Sequence, residues 1–203
     1  MQLIGMLDSP YVRRTAISLR MLGVGFEHRP LSVFRDFEEF AKTNPLVKAP
    51  TLVCDDGTVL VDSGLIIAYA ESLAGRSLWP VDPSPHRRSL RLTGVALIVA
   101  EKAVATHYEH RREPGRRDPD WATRVGGQLE AACSVLEAEL AQFPHGAWTC
   151  GAAPLQPDIT TAVAWRFAQD VASAIVPASR FPRLAAFSAR AEALPEFLAL
   201  PFD

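Results

Sequence analysis

Three short segments of this sequence carry groups that could hold a charged ligand. Ser9 stands directly before Pro10, where an apolar helical repeat begins, and a serine at that position ordinarily caps the helix. Asp62 and Ser63 stand at the start of a second helical repeat. Because a helix start presents free N–H groups and a partial positive charge, both segments could bind an anion such as a carboxylate.

The third segment is Ala49-Pro50, which opens a short apolar strand. An X-Pro bond adopts the cis form for only about 0.5–1 kcal/mol, so a fixed kink is accessible here. Such a kink would expose the amide and carbonyl of Ala49 for pairing with an extended peptide. A peptide clamp beside a carboxylate clamp indicates a site for a small acidic peptide. The alternative interpretation is an ordinary strand start with two ordinary helix caps.

The elements that must position these segments alternate between strand and helix over the first part of the chain. The predicted order is β-α-β-α-β-β-α, with strands at 2–6, 26–30, 51–54 and 58–61 and helices at 10–22, 35–42 and 63–73. An Asp-Asp-Gly turn joins the last two strands into a hairpin. This order predicts an α/β domain.

The second part of the chain predicts only helices. The segment 77–85 contains three prolines, which interrupt a helix and predict a linker between domains. Beyond it no strand-like alternation appears, and apolar residues recur every three or four positions along 125–143. We therefore expect one domain at 1–76 and an all-helical domain at 86–203.

The composition argues against several classes of function. The chain has 203 residues, 48% of them hydrophobic, and a formal net charge of -2, which gives no long-range attraction to nucleic acid or an anionic membrane. The arginines at 111–117 are mixed with acidic residues and lack an aromatic platform for stacking bases. No secretory leader is visible and the densest apolar segment, Val95–Val99, is too short to cross a bilayer, so we expect a cytoplasmic protein.

The motifs described above resemble those of the cytosolic glutathione transferases. Asn44–Leu52 followed by Asp62-Ser63 is similar to the glutathione-binding half of that family, and Ser9–Arg14 resembles its bacterial serine-type members. Residues 157–159 and 181–195 resemble its helical second domain. The resemblance implies a thioredoxin-like N-terminal domain followed by an all-helical C-terminal domain.

One position departs from the family pattern. Family members usually place Ser or Thr three residues before the aspartate that matches Asp158, as a reciprocal helix cap, whereas this chain has Leu155. Losing one cap costs about 1 kcal/mol. We therefore expect the helix to form with a weaker local signal.

The resemblance implies a role in glutathione chemistry for both helix starts. Ser9 matches the residue that hydrogen-bonds the glutathione sulfur, which makes it the implied catalytic residue. Ser63 would hold the γ-glutamyl carboxylate through its hydroxyl and amide, and Asp62 would lie near the ammonium group. No base accompanies Ser9 as a partner for nucleophilic catalysis, so the sulfur of the substrate is the expected nucleophile.

The resemblance also implies partners for the rest of the tripeptide. Ala49, beside Pro50, would pair with the cysteinyl backbone. Lys48 lies close enough in sequence to meet the glycyl carboxylate, and Arg35 is the alternative for that role. Glutathione is therefore the expected co-substrate.

A further set of residues falls where the family lines the pocket for a hydrophobic electrophile; it comprises Tyr11, His107, Tyr108 and Arg111. Tyr108 could assist the leaving group, or it could be an ordinary exposed tyrosine. His107 and His110 are three apart on a helix and could ligate a metal. We expect no metal, because no third ligand and no His-Glu-x-x-His motif accompanies them.

These features together predict a glutathione transferase that conjugates the glutathione thiolate to a hydrophobic electrophile, as in detoxification. Family habit also implies a homodimer. The absence of a cysteine at Ser9 argues against the glutathione-dependent thiol reductases of the same fold. Two alternatives stay open: a glutathione-dependent peroxidase or isomerase, and a non-catalytic glutathione-binding or scaffold protein.

Overall fold

In the computed structural model, which describes residues 1–202, the N-terminal part of the chain forms a four-stranded sheet. The strands are β1 Gln2–Ile4, β2 Glu27–Arg29, β3 Thr51–Val53 and β4 Val59–Val61. The helices are α1 Pro10–Leu22, α2 Phe37–Thr43, α3 Ser63–Ala74, α4 Pro83–Arg111, α5 Pro119–Leu140, α6 Gln156–Ala172, α7 Pro182–Glu192 and α8 Pro195–Leu198. The first seven elements have the order β-α-β-α-β-β-α, which confirms the prediction from the sequence.

The sheet has the strand order β2-β1-β3-β4. β1 and β2 are parallel and are connected through α1, whereas β3 is antiparallel to both of its neighbours. A parallel β-α-β unit extended by an antiparallel hairpin is the thioredoxin-like arrangement, so the predicted fold of this domain is confirmed.

α1 begins and ends at residues that the sequence marks. Ser9 is the N-cap, Pro10 occupies the first turn where no backbone donor is needed, and Gly23 ends the helix with φ 76°. The predicted apolar face of α1 is buried, and α1 packs against α3. The core of this part of the molecule includes the fully buried residues Leu3, Ile4, Val12, Ala16, Leu19, Leu52, Ile66 and Ala70.

By its internal contacts the chain divides into two units. The first, which we call the sheet unit, comprises Met1–Leu78 and the residues from Leu194 onward; the second, the helical unit, comprises Trp79–Ala193. The domain bounds of 1–76 and 86–203 stay a prediction. In the structure the C-terminal segment packs on α1, since Arg13 donates from Nε to the carbonyl of Leu200 at 2.9 Å and lies over the ring of Phe197.

The helical unit contains α4 to α7 and no strand along residues 79–193, which confirms the predicted all-helical class. α4 packs against α5 and α6, and α7 packs against α6. Single 3₁₀ turns lie at Pro114–Arg116 and Ala178–Arg180. None of the helices along residues 1–202 combines the length and apolar character that crossing a membrane requires.

α4 begins earlier than the prolines suggest. The sequence predicts a linker that ends at residue 85, but the helix starts at Pro83 and includes Pro85. Both prolines fall in the first turn, where the backbone N–H has no partner within the helix and its loss is harmless. The prolines therefore mark the start of the helix.

α6 forms although Leu155 offers no side-chain cap. The carboxylate of Asp158 accepts hydrogen bonds from the Leu155 N–H at 2.8 Å and from the Thr149 N–H and hydroxyl, both at 2.9 Å. Asp158 is fully buried, and burial raises its pKa although its three donors and Arg190 oppose the shift. Thr149, nine residues away, thus anchors the helix start to the preceding loop.

Candidate functional site

The register of the sheet brings the three predicted segments to one place. Ile4 of β1 pairs with Thr51 of β3, and Thr51 pairs with Val61 of β4. Because β3 is antiparallel to both neighbours, the chain leaves β1, enters β3 and leaves β4 at the same end of the sheet. We call this place the sheet end. The loop before Ser9, the residues Lys48 to Pro50 and the pair Asp62-Ser63 all start from it.

Ser9 lies at the start of α1 and is half-buried. Its Oγ accepts a hydrogen bond from the Val12 N–H at 3.4 Å. A hydroxyl has one proton and two acceptor positions, so Ser9 can cap the helix and still donate its proton to an anion. Capping and ligand binding are therefore compatible at this residue.

Gly5 brings α1 and the Ala49-Pro50 segment together. It has φ 139°, and a Cβ built on it would lie 2.6 Å from Cγ2 of Val12 and 3.0 Å from Cβ of Ala49. The missing side chain therefore lets the first turn of α1 approach Ala49. The Ala49–Pro50 bond is cis, and Ala49 is half-buried while Pro50 is buried.

Asp62 and Ser63 start α3. Asp62 is exposed, has φ 73°, and accepts a hydrogen bond from the Gly64 N–H at 2.8 Å. A positive φ is uncommon in a residue with a side chain and is often found at ligand sites. Ser63 is buried, with 4% of its surface exposed.

Sequence reasoning assigned no function to Arg14, which the structure places behind Ser63. Arg14 is 3% exposed, and its guanidinium donates a hydrogen bond to Ser63 Oγ at 2.8 Å. Burial lowers the pKa of Arg14 to about 10, while Asp62 and Tyr11 oppose the shift. The sequence does contain one indication, because Arg13 and Arg14 fall within a helix whose other positions are mostly apolar. A charged residue buried in such a helix nearly always has a partner, which makes it a candidate for a site.

Two cationic side chains near the sheet end, Lys48 and Arg35, are candidates to bind a second carboxylate of a ligand. Lys48 is exposed and precedes Ala49; its backbone carbonyl accepts a hydrogen bond from Thr51 Oγ1 at 2.6 Å. Its ammonium forms no ion pair with any residue of the described chain. Arg35 is also exposed, and its guanidinium lies 3.8 Å from the sulfur of Met6, just beyond β1.

The residues predicted to line an electrophile pocket lie in both units. Tyr11 belongs to the first turn of α1 and is half-buried. His107, Tyr108 and Arg111 belong to the last turns of α4. The ring of His107 lies 5.9 Å from that of Tyr108 and meets Phe167 of α6 edge to face at 6.5 Å. Tyr108 is 48% exposed, and Arg111 is exposed.

The sheet end combines two helix N-termini, two serine hydroxyls and a buried guanidinium. Each of these groups attracts an anion, either by direct hydrogen bonds or through the dipole of the helix. The arrangement can therefore hold a ligand that carries a carboxylate and a second, weakly acidic group. No three His, Cys, Asp or Glu side chains among residues 1–202 approach closely enough to hold a metal ion.

Comparison with known proteins agrees with this geometry. Residues 3–78 match the profile of the glutathione S-transferase N-terminal domain, and residues 119–190 match that of its C-terminal domain. The chain belongs to the glutathione S-transferase family. The first match contains every segment of the sheet end, so the family's N-terminal profile and the candidate site coincide.

Individual relatives of the family cover most of the chain. The uncharacterized GST-like protein YibF of Escherichia coli (strain K12) is 28% identical over 141 residues, 69% of this chain and 70% of that protein. A glutathione S-transferase of Methylobacterium radiotolerans, in complex with glutathione sulfonate, has a TM-score of 0.89 and 25% identity, covering 100% of this chain and 95% of the other. A family member of Pseudomonas fluorescens Pf-5 with bound glutathione has a TM-score of 0.80 and 26% identity, covering 98% and 97%.

Proposed function

We propose that this protein is a serine-type, cytoplasmic glutathione transferase that binds glutathione at the sheet end and presents its thiolate to a hydrophobic electrophile, as in detoxification. The observation that carries the proposal is the register of β1, β3 and β4, which gathers Ser9, Ala49 and Ser63 at one end of the sheet. The relatives from Methylobacterium radiotolerans and Pseudomonas fluorescens, which hold glutathione sulfonate and glutathione, support the same ligand.

Each part of glutathione has a partner in this proposal. Ser63 and the start of α3 receive the γ-glutamyl carboxylate, and Asp62 receives the ammonium group. The backbone of Ala49 pairs with the cysteinyl residue, and Lys48 receives the glycyl carboxylate. The ligand thus lies along the sheet end with its sulfur toward Ser9, at the start of α1.

Ser9 supplies enough stabilisation to keep the sulfur ionised at neutral pH. A free thiol has a pKa of about 8.5, and lowering it by about two units requires roughly 2.7 kcal/mol. One hydrogen bond to a charged group contributes about 1.5–3 kcal/mol, and a helix N-terminus adds about 0.3–1 kcal/mol. The two effects together match the requirement without a second catalytic residue.

Tyr11, His107, Tyr108 and Arg111 remain the proposed contacts of the electrophile, on the family resemblance described above. The aromatic contact of His107 with Phe167 favours a hydrophobic substrate. In the proposal Tyr108, which is 48% exposed, donates its hydroxyl proton to the leaving group.

Steady-state kinetics of Ser9 variants test the catalytic role. We expect Ser9→Ala to lower kcat for conjugation of glutathione to chlorodinitrobenzene by about ten- to a hundredfold, the value of one charge-assisted hydrogen bond. Glutathione should still bind, as measured by calorimetry. Ser9→Gly is the matched variant, because glycine replaces a helix cap at only a few tenths of a kcal/mol.

The two measurements separate the competing functions. Equal losses of turnover in both Ser9 variants, with glutathione binding retained, support the thiolate role. Wild-type binding without turnover of any electrophile would indicate a scaffold or binding protein, and unchanged turnover in Ser9→Ala would remove Ser9 from the mechanism.

A further inference from the structure

Arg14 is a buried charge on α1 that contacts the start of α3. It lies on α1, is 3% exposed, and donates to Ser63 Oγ on α3 at 2.8 Å. Desolvating a guanidinium is unfavourable by several kcal/mol unless its surroundings compensate. Asp62, whose charge favours the ionised form of Arg14, supplies part of this compensation at the surface of the site.

The direction of the hydrogen bond between Arg14 and Ser63 fixes the Ser63 proton. A guanidinium can only donate, so Ser63 Oγ must accept from it and cannot return its own proton to it. No hydrogen bond donated by the Ser63 hydroxyl is found among residues 1–202. The Ser63 proton is therefore available to an acceptor from outside the chain, and the charged donor behind the oxygen strengthens it as a donor.

We propose that Arg14 is a positioning residue for the carboxylate of an α-amino-acid end group, acting through Ser63. Arg14 directs the Ser63 proton toward the carboxylate and, as a charged donor to the Ser63 oxygen, strengthens the hydrogen bond that Ser63 donates. The inference rests on the proposed function, because it identifies the residue that orients Ser63 toward the γ-glutamyl carboxylate at that same site. Ser9 and the start of α1 act on the sulfur, so Arg14 governs affinity and leaves the chemical step to Ser9.

A double-mutant cycle tests whether Arg14 acts through Ser63. Calorimetry gives the Kd of glutathione for the wild type, Arg14→Gln, Ser63→Ala and the double variant. We expect Arg14→Gln to weaken binding by about ten- to a hundredfold, with kcat at saturating glutathione changed less than about threefold. In the Ser63→Ala background the same substitution should change Kd by less than about threefold.

A ligand analogue supplies a measurement that a purely structural role would not affect. Glutathione in which γ-aminobutyrate replaces the γ-glutamyl residue keeps the ammonium group of that end and lacks only the α-carboxylate. It should bind the wild type at least as weakly as Arg14→Gln binds glutathione, because it loses every contact of the α-carboxylate. Its Kd should be the same in the wild type and in Arg14→Gln.

Arg13 provides the matched control on the same helix. It is buried to the same extent as Arg14, but it donates to Leu200 and lies over Phe197 instead of contacting Ser63. Arg13→Gln removes a buried guanidinium and is expected to lower the stability of the fold while leaving the Kd of glutathione within about twofold. Arg14→Lys, which keeps the charge, should recover part of the lost affinity.

The outcomes distinguish this inference from the proposed function. Absence of glutathione binding by the wild type would overturn both. If the wild type binds but Arg14→Gln and Arg13→Gln weaken binding equally, Arg14 is only structural and the inference fails. If Arg14→Gln does not fold, the wild type alone still tests the inference. Equal affinity of the wild type for glutathione and for the analogue would show that the α-carboxylate is not held, and the inference would fail.

Discussion

At the scale of single residues, two cations compete for the second carboxylate of the proposed ligand. Lys48 directly precedes Ala49, whose backbone pairs with the cysteinyl residue in the proposal. The glycyl residue follows the cysteinyl residue in glutathione, so the Lys48 ammonium has to extend along the ligand by only one residue. Arg35 lies in the segment before α2, and its guanidinium already contacts Met6. The shorter path along the proposed ligand favours Lys48.

We predict that Lys48→Gln raises the Kd of glutathione by about two- to fivefold, since an exposed ion pair contributes about 0.2–1 kcal/mol. Calorimetry with glutathione and with its glycyl ethyl ester measures the effect. The ester should bind wild type and variant alike, because it lacks the charge that Lys48 meets. Arg35→Gln is the control, and a larger loss in that variant would reassign the glycyl end to Arg35.

The sequence predicts some of these residues more readily than others. Ser9, Asp62 and Ser63 stand at helix starts, and the residue types that cap a helix are recognisable from local sequence alone. Arg14 could not be predicted in this way. Its partner Ser63 is 49 positions away, so their contact exists only after α1 and α3 have packed together.

At the scale of elements, Gly5 controls how closely α1 approaches the Ala49 segment. An added Cβ would overlap the side chain of Val12, and φ 139° is unfavourable for any residue but glycine. We predict that Gly5→Ala lowers the free energy of unfolding by roughly 2–4 kcal/mol through overpacking and backbone strain. Urea denaturation followed by circular dichroism measures this change.

Gly127 is the matched control for that substitution. It is exposed on α5, and a Cβ there would meet no atom within 4 Å. Gly127→Ala should therefore stabilise the protein by about 0.5–1 kcal/mol through its higher helix propensity. A destabilisation of equal size at both positions would contradict the close approach at Gly5.

The start of α6 depends on Asp158 in place of the missing serine or threonine cap. We predict that Asp158→Ala lowers the free energy of unfolding by roughly 2–5 kcal/mol, because it leaves the donors of Thr149 and Leu155 without a partner. Asp170→Ala is the control on the same helix. Asp170 is exposed and has an ion pair with Arg166 at 4.0 Å, so its loss should stay within about 0.5 kcal/mol.

Equal effects of the two aspartate substitutions in chemical denaturation would show that the buried network does not hold α6. The local sequence predicts a weak helix start here because Leu155 offers no cap. The compensating donor, Thr149, lies in the loop that precedes the helix, outside the local helix pattern. The local sequence does not predict α8 either, since the helix has only four residues and its buried residue, Phe197, lies under the guanidinium of Arg13, far away in the chain.

At the scale of the whole molecule, two helices present apolar side chains to solvent. Leu65 and Leu73 on α3 are 67% and 51% exposed, and Leu90 and Ile98 on α4 are 50% and 42% exposed. In each pair the residues are eight apart and therefore share one face of their helix. Exposed apolar faces of this kind often mark protein–protein interfaces.

We propose that a second copy of the chain covers these faces, in the homodimer that the family resemblance implies, with the sheet unit of one subunit facing the helices of the other. A two-fold interface uses each patch twice, so one charge introduced into it is desolvated twice. We predict that Leu65→Glu and Ile98→Glu each shift the protein from dimer to monomer in sedimentation velocity, whereas Val81→Glu does not. Val81 is 96% exposed in the turn before α4. A wild type that sediments as a monomer, or dimers that persist in both variants, would rule out this interface.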